Sequence, residues 1–245
     1  MRVLVVGAGA VGSVLGGFLA KAGHDVTLLG RAWHLDVVRR EGLKISGLWG
    51  DHRVKRLAAA VRPEAVGSQP PFDWVFVCVK SPQTAEAARQ LPAWLGPRTL
   101  VCAFQNGLGN YEALLRHLPA ERVALGRVIF GAELEPGHVR VTVCADEVLI
   151  GSPDPRFPQE QAARLAAALQ ESGVPARATA TILTAIWAKV LYNCALNGLS
   201  TLLELPYGKL PEHAPADRLM RATIAEAYQA AAAHRIALEP STADA

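Results

Sequence analysis

Three polar residues, Lys189, Asn193 and Asn197, lie within an otherwise apolar stretch that has helical periodicity. Residues four apart share one face of an α-helix, so one ammonium and two amides would form a single row. Burying such groups without partners is costly, so a folded chain keeps them where they are paired or where they bind a ligand. A cation flanked by two amides suits a small oxygen-rich anion. A polar network between packed helices is the alternative, and this row alone does not decide between the two.

A glycine-rich segment near the N-terminus has the spacing of a nucleotide-binding loop. It consists of Gly7, Ala8, Gly9, Ala10, Val11 and Gly12. The spacing is G-x-G-x-x-G, directly after the apolar run Val3–Val6 and before a helical pattern, which is the context expected of a dinucleotide-binding βαβ unit. The first glycine allows a tight turn, the second lets a pyrophosphate approach the backbone, and the third lets the helix pack on the strand. The helix N-terminus adds partial positive charge.

The end of the next strand predicts which dinucleotide binds. A site specific for NAD places Asp or Glu there to hold the ribose hydroxyls. Here the strand ends in Gly30 and Arg31 with no carboxylate, and an arginine can form a forked contact with a 2′-phosphate. The sequence therefore favours NADP(H) as the cofactor. A solvated arginine after a strand is the alternative.

Two later strands also end in polar residues. Lys80 follows one apolar run and Asn106 follows another. Ligands of open parallel sheets bind at the carboxyl ends of the strands, so both residues are candidates for the same site. Lys80 would neutralise a phosphate or a carboxylate, and Asn106 would bridge cofactor and substrate. Reduction of a ketone creates an alkoxide that needs a proton, and Lys189 is the candidate donor.

These residues must be positioned by two types of structure. Up to about residue 178, short apolar runs alternate with helical patterns, which predicts a parallel sheet covered by helices. Leu43–Ser46 and His52–Leu57 have the pattern of an antiparallel hairpin. After residue 178 the pattern is helical only. The sequence thus predicts an α/β protein, with a Rossmann-type dinucleotide-binding domain over residues 1–178 and a smaller all-α domain over residues 179–245.

The composition narrows the class of protein. The 245 residues are 51% apolar and 19% charged, with a net charge of +3, which is typical of a compact soluble protein and offers no basic surface for nucleic acid. The four cysteines form no C-x-x-C pair and no cluster with histidine, so we expect buried free thiols, no metal and a cytoplasmic location. Lys189 and its two amides argue against membrane insertion of the one long apolar helix.

Taken together, the motifs resemble those of the 2-dehydropantoate 2-reductase (ketopantoate reductase) family. The resemblance covers nearly the whole chain and rests on the glycine segment, Arg31, Val79-Lys80 with Thr84, Asn106–Gly109, Gly131-Ala132 and Trp187–Asn197. The last of these is the most specific, because other Rossmann dehydrogenases lack its Lys-Asn-Asn spacing after a tryptophan.

The resemblance implies a function and a role for each residue. The function would be NADPH-dependent reduction of 2-dehydropantoate to pantoate in pantothenate biosynthesis. Lys189 would be the proton donor, while Asn193 and Asn197 would hold the substrate. Asn106 would touch both ligands, and Lys80 and the backbone around Ala132 would line the NADP site.

Family members usually continue beyond the end of this sequence, so the resemblance implies a helical domain shorter than usual, without a serine and a glutamate that serve the family's site. One alternative is therefore a catalytically impaired NADPH-binding paralogue that acts as a sensor or interaction protein. Another is a reductase of a different small 2-oxo acid. A short helical domain would leave apolar faces uncovered, which predicts a homodimer formed through that domain.

Overall fold

The computed structural model describes residues 1–67 and 71–238, which form two compact units. The first unit is Met1–Ile182 and the second begins at Leu183. The strands are β1 (Arg2–Val6), β2 (Asp25–Leu29), β3 (Leu43–Gly47), β4 (His52–Val54), β5 (Ala58–Ala60), β6 (Trp74–Val77), β7 (Leu100–Ala103), β8 (Val123–Arg127), β9 (Phe130–Glu135), β10 (His138–Cys144), β11 (Val148–Gly151) and β12 (Ala176–Ala178). The α-helices are α1 (Ala10–Lys21), α2 (Ala32–Glu41), α3 (Thr84–Gln90), α4 (Asn110–Leu115), α5 (Gln159–Ser172), α6 (Ile182–Leu203) and α7 (Ala214–Ala233).

The first unit is built on a sheet of eight strands in the order β12-β11-β8-β7-β6-β1-β2-β5. From β5 to β8 all neighbours are parallel, and β11 is antiparallel to β8. The central strands β6 and β7 are buried at every residue, because helices cover both faces of the sheet. The predicted α/β fold with a Rossmann-type sheet is therefore confirmed. The parallel strands place their carboxyl ends, and the loops that follow, at one edge.

A second sheet of four strands, in the order β4-β3-β10-β9, belongs to the same unit. The predicted hairpin is confirmed, since β3 and β4 pair antiparallel with Leu43 opposite Val54. Helix α1 lies between the two sheets. Its paired glycines make this possible, because a Cβ on Gly16 would lie 2.8 Å from Leu28 and one on Gly17 would lie 2.7 Å from Leu43.

Helices α6 and α7 of the second unit pack through two small apolar clusters. Trp187 and Leu191 of α6 meet Ala231 of α7 in one cluster, and Ala195 meets Met220 in the other. The expectation of buried free thiols is confirmed for Cys102, whereas Cys78 and Cys144 are half-buried and Cys194 is exposed, so the expectation was wrong for Cys194.

Within the described residues, α6 is the one helix long and apolar enough to cross a membrane by length and composition. It carries the lysine and both asparagines of the polar row, and such groups are costly within the hydrocarbon core of a bilayer.

Candidate active site

The glycine segment forms a tight connection between β1 and α1. The N–H groups of Gly7 and Ala8 both donate to the carbonyl of Leu29 at 2.9 Å, which fastens the loop to the end of β2. Gly7 has a φ of +102°, and a Cβ there would lie 2.6 Å from the backbone nitrogen of Val79. Only glycine meets both the conformational and the steric requirement at this turn.

The first turn of α1 offers backbone donors that the helix itself does not use. The first helical hydrogen bond runs from Ser13 N to Gly9 O at 2.8 Å, and Gly9 has no side chain to cap the helix. The amides of Ala10, Val11 and Gly12 therefore lack acceptors within the helix. Together with the helix dipole they form a site for an anion such as a pyrophosphate.

A pocket of about 370 Å³ lies beside this turn. It is lined by Gly7, Ala8, Gly9, Ala10, Gly30, Arg31, Trp33, Cys78, Val79, Lys80, Gln83, Ala132 and Leu134. Seven of the ten predicted cofactor residues line it, and the three that do not are Val11, Gly12 and Asn106. The charged side chains among these lining residues are Arg31 and Lys80, both cationic. The pocket therefore suits a ligand that carries several negative charges.

Two glycines beside the pocket differ in how closely the backbone around them is packed. A Cβ on Gly9 would meet nothing within 4 Å, so the backbone at this point is open to a close approach. A Cβ on Gly30 would lie 2.8 Å from the Cβ of Ala8, so the end of β2 and the glycine turn are in close contact. Arg31 is exposed at the start of α2, immediately after this contact.

The pocket residues Trp33, Cys78, Gln83 and Leu134 were not predicted from the sequence. Trp33 lies in the first turn of α2, a helix that the sequence analysis did not predict. Leu134 lies in β9, whose sequence Phe-Gly-Ala-Glu-Leu-Glu has two glutamates and a glycine and so gives a weak strand signal. The signal that was present is the distance along the chain: Trp33 is two residues beyond Arg31 and Leu134 is two beyond Ala132.

Cys78 lines the pocket but is not suited to nucleophilic chemistry. Burial raises the pKa of its thiol far above the usual range, so the sulfur stays protonated at neutral pH. Among residues 1–67 and 71–238, no group of three or more His, Cys, Asp or Glu side chains is placed to hold a metal ion. The chemistry of this pocket therefore lies in binding and orienting an anionic ligand.

A larger cavity, about 800 Å³, lies at the opposite edge of the sheet. It is bordered by Asp73 and Trp74 at the amino end of β6 and by Leu100 at the amino end of β7. Ligands of open parallel sheets bind at the carboxyl ends, where the glycine turn lies. The smaller pocket is thus the candidate active site.

Asn106 lies in the loop after β7, at the same edge of the sheet as the glycine turn. Asn106 is exposed. Its backbone carbonyl oxygen accepts hydrogen bonds from Ser81 Oγ at 2.8 Å and from Asn110 Nδ2 at 3.1 Å. Ser81 directly follows Lys80. The two loops that carry Lys80 and Asn106 are therefore tied together.

The polar row of the second unit lies on helix α6. Lys189 and Asn193 are half-buried and Asn197 is exposed. Successive members of the row are separated by about 6 Å along the helix axis, from the rise of 1.5 Å per residue. The side-chain oxygen of Asn197 accepts a hydrogen bond from the Tyr207 hydroxyl at 2.6 Å, a contact that the sequence did not predict.

Comparison with known proteins identifies the family. Residues 3–155 match the family described as ketopantoate reductase PanE/ApbA, and residues 181–245 match the C-terminal part of the same family. The chain belongs to the ketopantoate reductase family. The resemblance inferred from the motifs is confirmed, and the sequences of both units contribute to the match.

Members of the ketopantoate reductase family resemble this chain over most of its length. The 2-dehydropantoate 2-reductase of Aquifex aeolicus is 37% identical over 230 residues, which are 94% of this chain and 72% of the relative. A crystal structure of a PanE/ApbA family ketopantoate reductase from Ralstonia eutropha JMP134 has a TM-score of 0.85 and 36% identity, and the match covers 97% of this chain and 76% of that one.

A dehydrogenase of different specificity is also similar in structure. The ternary structure of D-mandelate dehydrogenase with NADH and anilino(oxo)acetate has a TM-score of 0.87 and 25% identity. The match covers all of this chain and 78% of that one.

Proposed function

We propose that this protein is an oxidoreductase that reduces 2-dehydropantoate to pantoate with NADPH in pantothenate biosynthesis. The observation that carries the proposal is the cationic pocket at the glycine turn, in a chain whose two units both match the ketopantoate reductase family. The cofactor class is a nicotinamide dinucleotide and the substrate class is a small 2-oxo acid.

The preference for NADPH over NADH is supported by the end of β2. Arg31 lines the pocket, and none of the described residues that line it carries a carboxylate, so a 2′-phosphate would gain a forked cationic partner and ribose hydroxyls would gain no acidic one. The alternative is a preference for NADH, which is the dinucleotide bound in the similar structure of D-mandelate dehydrogenase. Comparison of the two dinucleotides in binding and turnover decides the matter.

The remaining cofactor contacts follow from the same pocket. The free amides of Ala10, Val11 and Gly12 would bind the pyrophosphate, with Lys80 as a second cation. The backbone around Ala132 would line the pocket on the side of β9, and Asn106 would contact both cofactor and substrate. When bound, the reduced nicotinamide supplies the hydride that reaches the 2-oxo carbon.

The proton must come from the protein. As the carbonyl carbon gains hydride, its oxygen becomes an alkoxide, and we propose that the ammonium of Lys189 donates a proton to this oxygen. Asn193 and Asn197 would hold the substrate through their amides. The support is the common face of these three residues on α6 and the family match over residues 181–245.

A third part of the proposal concerns the organisation of the chain. Residues 1–178 would form the dinucleotide-binding domain, and residues 179–245 the substrate-binding domain.

The second unit exposes several large apolar side chains, among them Leu202 and Leu219, which are 81% and 56% exposed. We propose that such residues are covered in a homodimer formed through this unit, and that the protein is soluble and cytoplasmic. Light scattering that shows a monomer at micromolar concentration would contradict the dimer.

The direct test is oxidation of NADPH in the presence of 2-dehydropantoate, with Lys189→Ala as the diagnostic variant. Loss of a general acid lowers kcat by about 100-fold or more. Lys209→Ala is the matched control, because Lys209 lies in the same unit and forms an exposed ion pair with Glu212 at 2.7 Å. Absence of turnover by the unmodified chain, or full turnover by Lys189→Ala, would refute the proposal.

A second candidate is reduction of a different 2-oxo acid, because the D-mandelate dehydrogenase match covers the entire chain. Turnover of an aromatic 2-oxo acid with a higher kcat/KM than 2-dehydropantoate would favour it. Tight NADPH binding with no turnover of any 2-oxo acid would instead identify a non-catalytic NADPH-binding paralogue.

A further inference from the structure

A series of buried and half-buried hydrogen bonds lies between the loops that carry Lys80 and Asn106. Thr84, the first residue of α3, is 2% exposed, and Asn110, the first residue of α4, is 5% exposed. The Thr84 hydroxyl donates to Asn110 Oδ1 at 2.8 Å and accepts from Gln105 Nε2 at 2.8 Å. Asn110 Nδ2 in turn donates to the carbonyl of Asn106 at 3.1 Å.

The backbone carbonyl of Asn106, at the end of this series, fixes the direction of every hydrogen bond in it. A backbone carbonyl only accepts, so Asn110 must present its NH₂ group to Asn106 and its oxygen to Thr84. The Thr84 hydroxyl must then donate to that oxygen, which leaves its lone pairs to accept from Gln105. There is one consistent arrangement, and it orients the amide of Asn110 uniquely.

The backbone carbonyl of Asn106 accepts a second hydrogen bond, from a residue that does not belong to this series. Ser81 Oγ donates to it at 2.8 Å. Two donors on one carbonyl restrict the rotation of the peptide plane that follows Asn106, although Gly107 has a φ of +85° and Gly109 has the same value. The loop is thus held at Asn106 and is rich in glycine immediately after it.

We propose that Thr84 and Asn110 are positioning residues that hold Asn106 in the orientation that its ligands require. This inference rests on the proposed function, in which Asn106 contacts cofactor and substrate. Neither residue touches the reacting atoms. Their effect is transmitted through the Asn106 carbonyl, and a displacement of a binding group by about 1 Å is enough to lower a rate by about 100-fold.

The chain provides a matched control for the loss of a buried threonine hydroxyl. Thr99 is 1% exposed, donates to the carbonyl of Phe72 at 2.5 Å and accepts from Gly96 N at 3.0 Å. It has the same residue type, burial and number of hydrogen bonds as Thr84. It lies at the amino end of β7, however, at the opposite edge of the sheet from Asn106.

The test compares Thr84→Val with Thr99→Val in steady-state reduction of 2-dehydropantoate by NADPH, with melting temperatures measured in parallel. Both variants should lose a similar amount of thermal stability. Only Thr84→Val should lower kcat/KM for the 2-oxo acid, by about 10-fold or more. Thr84→Ser keeps the hydroxyl and should restore kcat/KM to within about 3-fold of the unmodified protein.

If Thr84→Val does not fold, Ser81→Ala provides the readout, because Ser81 is exposed and its loss removes one of the two donors to the Asn106 carbonyl. It should lower kcat/KM in the same direction. The inference is overturned, and the proposed function is not, if Thr84→Val and Thr99→Val have equal kcat/KM. The same holds if Thr84→Val is unfolded and Ser81→Ala has no effect on kcat/KM. An unmodified protein that shows no turnover overturns the proposed function and this inference with it.

Discussion

Two glycines of the nucleotide-binding loop, Gly9 and Gly12, should respond differently to the same added methyl group. A Cβ on Gly12 would lie 2.4 Å from the carbonyl oxygen of Gly7 and 2.9 Å from Val5. A Cβ on Gly9 would meet nothing within 4 Å, and the φ of Gly9 is −83°. Gly12→Ala is therefore a perturbation of packing, whereas the methyl of Gly9→Ala makes no contact within the protein and extends into the space into which a ligand would come.

The magnitudes follow from these distances. The Gly12 contact is with backbone, which cannot rotate away, so overpacking should destabilise the first unit by about 2 kcal/mol or more. This value already includes an offset of about 0.5–1 kcal/mol from the better helix propensity of alanine. Gly9→Ala should cost about 0.5–1 kcal/mol, the difference between glycine and alanine at a helix N-cap.

The order is reversed for binding. The methyl of Gly9→Ala would occupy the approach of the pyrophosphate, and an overlap worth about 1–3 kcal/mol weakens binding of NADPH by about 5- to 150-fold. Denaturant unfolding gives the free energy of unfolding, and titration calorimetry gives the Kd. The reasoning fails if Gly9→Ala binds NADPH as tightly as the unmodified protein, or if Gly12→Ala is equally stable.

Three further predictions concern charge. Arg31→Ala should weaken NADPH binding by about 10- to 100-fold, which is the value of a charge-assisted hydrogen bond, and should leave NADH binding unchanged. The control is Arg40→Ala, on the same helix, which should alter neither Kd. Equal losses for both dinucleotides in Arg31→Ala would argue against a 2′-phosphate contact. Burial lowers the pKa of His34 from its ordinary 6.5, so the unfolded chain takes up the proton first as the pH falls. The His34 contribution to stability should be complete above pH 6.5 and be lost as the pH falls through the lower pKa of the folded state, and an equally steep pH dependence of unfolding in His34→Gln would contradict this. Asp146→Ala removes the carboxylate that pairs with Arg127, whose side chain is 7% exposed and keeps a hydrogen bond to the Glu147 carbonyl. Because the Asp146 side chain is 48% exposed, the free energy of unfolding in urea should fall by about 1–2 kcal/mol, between the values of exposed and buried pairs, and a loss below about 0.5 kcal/mol would show that the Arg127 charge is solvated.

The sequence predicted the central sheet well because its strands are short and almost entirely apolar. β1, β2, β6 and β7 overlap the apolar runs that predict strands, and strands buried on both faces leave this signature. These runs are Val3–Val6, Val26–Leu29, Trp74–Val79 and Leu100–Phe104. β9 was missed because its exposed face carries Glu133 and Glu135, which resemble a loop in sequence. Its position became evident only from its pairing with β10.

In the candidate site, too, some residues were predicted from the sequence and others were not. The glycine segment, Arg31 and Lys80 were predicted from spacing and from their position after strands, and they line one pocket. The hydrogen bond between Thr84 and Asn110 joins residues 26 positions apart, and no pattern along the chain indicates it. Local motifs identify groups that can do chemistry, whereas the side chains that orient those groups are determined by the packing of distant segments.

The most direct measurement follows the hydride itself. The protein is incubated with 2-dehydropantoate and with NADPH that carries deuterium at the transferable position of its nicotinamide ring, and the product is analysed by mass spectrometry. We expect pantoate that contains a single deuterium, attached to the carbon that was the ketone, and a rate that falls by about 100-fold or more in Lys189→Ala but not in Lys209→Ala. Absence of labelled pantoate, or equal rates in the two variants, would contradict it.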